Sequence, residues 1–184
     1  MPMADVYISK GALPDDVERE LLSRITDILV DHELRRVIDL AKDAQTVEAN
    51  RSRARGLAWL FVHRPEIYVA GAAREAPYYK FEIRVPEGQG DDEFRNAVTR
   101  DVTAAIVEAE GGKWPNPESR VWVFTWDVPD GTWGALGRRF HLNDIVGWVA
   151  PELSHYATDR LAAKRYDEAR AIVAAAGAGG DISS

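Results

Sequence analysis

The sequence predicts an α+β fold in which tandem β-α-β units form a four-stranded, mainly parallel sheet with two helices on one face, followed by a C-terminal helix. Three observations predict it. A strand pattern runs directly into a helix pattern near the chain start, the same order returns 77 residues later, and each helix leads into a second segment rich in Val, Trp and Phe.

Residues 3–9 alternate, with Ala4, Val6 and Ile8 on one face, which is a half-buried strand. Lys10-Gly11 ends it. Pro14 suits a first helical turn, Asp15 and Asp16 complement the positive end of a helix dipole, and Val17, Leu21, Ile25, Ile28 and Leu29 form an apolar stripe, so a helix is predicted over 14–31. From Glu33 to Gly56 the residues Leu34, Val37, Ile38, Ala41 and Ala44 keep helical spacing, and this stretch extends or follows that helix. Its end, Arg51-Ser52-Arg53-Ala54-Arg55, reads as a solvated helix terminus, with an anion site as the alternative. Leu57 to His63 is the unit's second strand.

The second unit repeats the first. Val6 and Ile8 correspond to Ile83 and Val85, Gly11 to Gly88, Asp15 and Asp16 to Asp92 and Glu93, and Val17, Leu21, Ile25 and Leu29 to Phe94, Val98, Val102 and Ile106. Duplication is the reading, and chance register between two strand–turn–helix segments is the alternative. Arg120 to Asp127 closes the second unit. Pro129-Asp130-Gly131 is a turn, and the glycines of Trp133-Gly134-Ala135-Leu136-Gly137 suit a tight hairpin. An Ala-rich helix runs from Glu152 to Ala176, and 177–184 reads as a frayed tail. The expected organisation is a domain over 2–150, with units at 2–70 and 78–142, then 151–184 as helix and tail.

Composition narrows the chemistry. The 184 residues include no cysteine, which removes disulfides, thiol nucleophiles and Cys-ligated metals. With 23 basic against 30 acidic side chains, the net charge of -7 argues against nucleic-acid and membrane partners, although 18 of the cations are Arg and suit local anion sites. No apolar run reaches the roughly 18 to 20 residues of a membrane span, and the start lacks a secretory signal, so a cytoplasmic protein is expected. His32, His63, His141 and His155 show no metal-ligand pairing, and Gly88 and Gly90 form no phosphate loop.

Pro2 remains. A small second residue permits removal of Met1, which leaves a secondary amine at the head of a strand. A terminal amine titrates near roughly 8 in water, and desolvation with nearby guanidinium groups lowers that toward neutrality. Such an amine can act as general base and return its proton as general acid.

Pro2-Met3-Ala4-Asp5-Val6-Tyr7-Ile8-Ser9-Lys10-Gly11 resembles the opening strand and turn of the tautomerase superfamily, the 4-oxalocrotonate tautomerase-like proteins. Val121-Trp122-Val123-Phe124-Thr125-Trp126-Asp127 and Trp133-Gly134-Ala135-Leu136-Gly137 are similar to its closing strand and hairpin. The fused length, with His63-Arg64-Pro65 at a strand end, looks like the branch that includes cis-3-chloroacrylic acid dehalogenase and malonate semialdehyde decarboxylase. The resemblance implies Pro2 as catalytic base and acid on a small 2-oxo acid or its enol, a homotrimer, and no cofactor or metal. It also implies Trp133 as the aromatic wall beside the proline.

The sequence departs from the family where an Arg usually follows the turn glycine, for Ala12 and Gln89 stand there. Ala135 stands where the dehalogenases carry a carboxylate. His63, Arg64 and Arg84 are the replacement cations for the substrate, each also readable as a salt-bridge partner. A parallel pairing would put Arg84 about five residues along from Pro2, near 17 Å at the strand rise. Decarboxylation or hydration of a small unsaturated or semialdehyde acid is the alternative chemistry. A vestigial assembly protein on the same fold and an unrelated ferredoxin-like oligomer, such as a heme-free monooxygenase, are the alternative classes.

Overall fold

A computed structural model describes residues 2–38, 40, 43–153 and 155–178. Strand β1 (Met3–Ile8) leads into helix α1 (Asp15–Ile38), then α2 (Ala44–Leu57) and β2 (Trp59–His63). A small ribbon, β3 (Tyr68–Val69) with β4 (Ala72–Ala73), precedes β5 (Tyr79–Pro86), α3 (Asp92–Glu110) and β6 (Val121–Val128). The hairpin β7 (Trp133–Ala135) and β8 (Arg138–Phe140) is followed by α4 (Leu142–Val149) and α5 (Tyr156–Ala178).

The four long strands form one sheet in the order β2-β1-β5-β6. Within each unit the crossover makes the strands parallel, β1 with β2 and β5 with β6, as right-handed β-α-β connections require. Between units β1 and β5 are antiparallel, with Met3 opposite Arg84 and Ile8 opposite Tyr79. This corrects the parallel register: Arg84 stands beside the head of β1, not five residues away. The pairing is two-fold symmetric about Asp5 and Glu82, which face each other at the 77-residue offset of the repeat.

The repeat is visible in the core. Val6 and Ile83, Ile8 and Val85, Ile25 and Val102, and Leu29 and Ile106 are all fully buried in one cluster between the sheet and helices α1 and α3. The turn glycines match as well, for Gly11 has φ +72° and Gly88 φ +92°, values that glycine adopts without steric cost. Asp91 caps α3 by accepting the Phe94 N–H at 2.8 Å, and Gly111 ends it at φ 58°. Removing a buried ring such as Phe81 would cost about 3–5 kcal/mol.

Three elements refine or add to the expectation. Helix α1 runs through Ile38, past the predicted end at 31, and a separate α2 follows, capped by Asp43 onto the Thr46 N–H at 2.7 Å. Ala41 lies outside the described residues. Helix α4 was not expected; it is short, and Leu142, Ile145, Val146 and Val149 are all buried. The C-terminal helix starts at Tyr156, after a 3-10 turn at Pro151–Leu153, and continues through Ala178, while residues 179–184 lie outside the description. Among the described residues, no helix is long and apolar enough to cross a membrane.

Candidate active site

The helices cover one sheet face, and alternation sends every second side chain to the other. That open face carries Met3, Asp5 and Tyr7 from β1, with Trp59, Phe61, Trp122, Phe124 and Trp126 exposed around them; Trp122 is 62% exposed. The two outer strands repeat a Trp-x-Phe pattern, because Trp59 pairs with Met3 as Trp122 pairs with Lys80.

At the Met3 end of this face lies an open cavity of about 650 Å³, a size suited to a small ligand. Its walls are Met3 and Trp59 from the sheet, Leu57 from α2, Trp133 and Leu136 from the hairpin, and Trp148 from α4. Pro2 is buried and is not itself among the lining residues; it is covalently joined to the lining residue Met3 and accepts the N–H of the lining residue Trp59 on its carbonyl at 3.4 Å. Trp133 is 9% exposed and packs with Phe140 and Ile145, so the hairpin is fixed against α4. At its tip Leu136 has φ 50° and Gly137 φ 75°, the left-handed pair that a two-residue hairpin turn requires. Leucine is an unfavourable choice there, and its side chain is 83% exposed.

The candidate cations separate. Arg84 is opposite Met3, but its guanidinium is engaged by Asp5 and also lies 3.5 Å from Glu82. The Arg84 bond, then that of His63, holds the Asp5 carboxyl below its ordinary 3.8. His63 pairs with Tyr7 in register, at the far end of β1 from Pro2; its Nε2 meets Asp5 at 2.6 Å and its ring stacks on Tyr7. Arg64 pairs with Glu18 on α1. None of these three lines the cavity.

Arg53 does line it. It is the one charged side chain among the described lining residues, and it lies in the Arg51-Ser52-Arg53-Ala54-Arg55 run. Its neighbours behave as a helix end would: Arg51 binds Asp31 at 2.7 Å and Arg55 binds Asp27 at 2.6 Å. Helical rotation turns Arg53 away from them, toward Asn50 and the Val149 carbonyl. The Arg run was the signal for this residue, but sequence cannot tell which of three arginines faces a cavity built by distant segments.

In the second unit the position that corresponds to Pro2 is filled by a buried ring. Tyr79, the counterpart of Pro2 at the repeat offset, is 2% exposed, and burial pushes its phenol pKa up. Behind it Arg120 and Glu110 form a buried ion pair, with Arg120 also donating to the Pro77 carbonyl at 2.6 Å. A second hollow of about 690 Å³ lies under α5, but its cations already pair, Arg95 with Asp127, Arg160 with Asp91 and Lys164 with Asp127 and Glu168. Among the described residues no group of three His, Asp or Glu could hold a metal ion.

Residues 81–143 match the family described as tautomerase enzyme. No curated protein matches the chain. Among solved structures, Pt0534 inactivated by 2-oxo-3-pentynoate is similar at 22% identity and TM-score 0.55, over 78% of this chain and 98% of that one. The F6 fused 4-OT wild-type asymmetric trimer is similar at 15% identity and TM-score 0.52, over 74% and 94% of the two chains. Macrophage migration inhibitory factor of Toxoplasma gondii is similar at 12% identity and TM-score 0.52, over 75% and 99%.

Proposed function

We propose that the chain, whose residues 81–143 match the tautomerase family and whose fold is that of the tautomerase structures, is a tautomerase with the amine of Pro2, freed by removal of Met1, as its base and acid. The observation that supports this is the cavity at the head of β1, walled by Met3, Trp59 and Trp133, two of which Pro2 touches directly: it is bonded to Met3 and accepts the Trp59 N–H.

The substrate class is a small 2-oxo acid or its enol. The neutral amine takes a proton from the carbon beside the carbonyl, the electron pair moves onto the carbonyl oxygen, and the secondary ammonium returns the proton to that oxygen. Ketonisation is the reverse. Burial of that amine would disfavour the charged ammonium and so favour the basic form. Hydration is the weaker reading, since no carboxylate or imidazole stands among the described lining residues to activate water.

The proposed assembly is a homotrimer formed through the open aromatic face, in keeping with the fused 4-OT trimers of similar fold. Arg84 is proposed to support the site from within the protomer. His63 and Arg64, at the end of edge strand β2, are proposed to approach the neighbouring protomer's site.

The test is phenylpyruvate ketonisation by wild type and Pro2→Ala, after intact mass has shown Met1 removed. Pro2→Ala is expected to lose about 10²-fold or more, and equal rates would reject proline catalysis. Treatment with 2-oxo-3-pentynoate, the reagent that inactivated Pt0534, should leave an adduct on residue 2 in peptide mapping.

A further inference from the structure

We infer that Arg53, on the helix inserted ahead of β2, is the carboxylate anchor of the cavity, and that the cavity selects aromatic monocarboxylates over dicarboxylates. This rests on the cavity being the substrate site, as proposed above.

Arg53 is held by uncharged acceptors, and the Glu152 carboxylate acts on it only through space, beyond ion-pair distance. Its Nη1 donates to Asn50 Oδ1 at 2.9 Å and to the Val149 carbonyl at 3.2 Å, both uncharged acceptors. No carboxylate lies within ion-pair distance of it among the described residues, unlike Arg51, Arg55, Arg64 and Arg84. Asn50 is in turn fixed: it is 1% exposed, and its Nδ2 donates to Glu152 Oε1 at 2.8 Å. An Asn amide whose nitrogen is committed to a carboxylate must present its oxygen elsewhere, and here it presents it to Arg53. The chain Glu152–Asn50–Arg53 thus orients one edge of the guanidinium and leaves Nε and Nη2 without partners among the described residues. A planar guanidinium with two free donors matches a carboxylate in bidentate fashion.

The rest of the lining sets what that carboxylate is attached to. Trp59, Trp133 and Trp148 offer ring faces, and Leu57, Leu136 and Met3 complete an apolar wall. A second carboxylate would be desolvated there with no second cation among the described lining residues, which penalises dianions.

The test measures binding apart from turnover. Intrinsic tryptophan fluorescence is titrated with 3-phenylpropionate, 3-phenylpropionamide and hexanedioate, in wild type, Arg53→Gln, Arg53→Lys, Asn50→Asp and Pro2→Ala. Wild type should bind 3-phenylpropionate about 10- to 100-fold more tightly than the amide or the dianion. Arg53→Gln should reduce the preference over the amide to within about twofold, and Arg53→Lys should keep part of it. Asn50→Asp sets a second acid between Glu152 and the guanidinium, and whatever proton the two carboxyls share, the added negative charge beside Arg53 should weaken the preference while amide binding survives, a change that mere loss of packing would not produce. An unaltered preference in Arg53→Gln overturns the assignment, as does wild type with no saturable binding or no carboxylate preference. If Pro2→Ala keeps full ketonisation while Arg53→Gln loses the preference, proline catalysis fails and the anchor stands. If Pro2→Ala is inactive and Arg53→Gln binds as wild type, the anchor alone fails.

Discussion

Asp5 and Glu82 stand directly opposite each other across the antiparallel β1–β5 pair, two carboxylates on the axis that relates the two halves of the chain. Like charges so placed destabilise a sheet unless cations intervene. Arg84 bridges both, His63 meets Asp5 and Lys80 meets Glu82 at 2.9 Å. Arg84→Ala should therefore destabilise the protein by about 1 kcal/mol, a value discounted because the Arg84 side chain is 37% exposed. Urea midpoints would check it, and an unchanged midpoint would show the bridge to be idle.

Acid should weaken the same site. The folded state holds Asp5 below its ordinary 3.8, first through Arg84. Its stabilisation is therefore present above the unfolded pKa and lost as pH falls through the folded one. Asp5→Asn should be less stable than wild type at neutral pH, and the gap should close below about pH 4. Denaturation midpoints across that range read it directly.

The buried Glu110–Arg120 pair is a separate case. With side chains 1% and 5% exposed, neither ion has water to fall back on. Arg120→Leu should cost about 3–5 kcal/mol by leaving Glu110 uncompensated, while the Glu110→Leu/Arg120→Leu double variant should recover most of that loss. A double-mutant cycle in urea compares the two.

Leu136 trades stability against the cavity. Its φ of 50° suits Asn better than Leu, so Leu136→Asn should raise stability by about 1 kcal/mol. The same change removes an apolar wall, so 3-phenylpropionate should bind several-fold more weakly. A variant both more stable and tighter-binding would contradict the role given to this side chain.

The open sheet face should carry the assembly. Trp122→Glu places a charge where three exposed tryptophans and two phenylalanines gather. Wild type should sediment as three times the 20.5 kDa chain and Trp122→Glu as a smaller species. A monomeric wild type would remove the trimer.

Much of the fold is local chemistry, and so it is legible in the chain. The alternation of Ala4, Val6 and Ile8, the stripe from Val17 to Leu29 and the return of both 77 residues later each reflect one element burying one face, and those residues do form the core. The glycines of residues 133–137 led to the hairpin, while Trp133 as a wall was what the family resemblance implied. The sequence by itself thus determined which segments pair within a unit, because a helical crossover that packs back on the sheet favours a parallel strand and one hand.

Only the tertiary structure decided how the units meet. Nothing in β1 or β5 alone distinguishes parallel from antiparallel pairing, since both present the same alternating faces. Antiparallel pairing brought Arg84 from a remote position to the side of Met3, and Asp5 opposite its own counterpart. The cavity was equally hidden, because its walls come from β1, α2, the hairpin and α4, which are distant in sequence. Three arginines in one short run are equivalent as residue types. Helical rotation and the packing of α2 against α4 set Arg53 apart from Arg51 and Arg55, leaving it facing the cavity while the other two met carboxylates of α1.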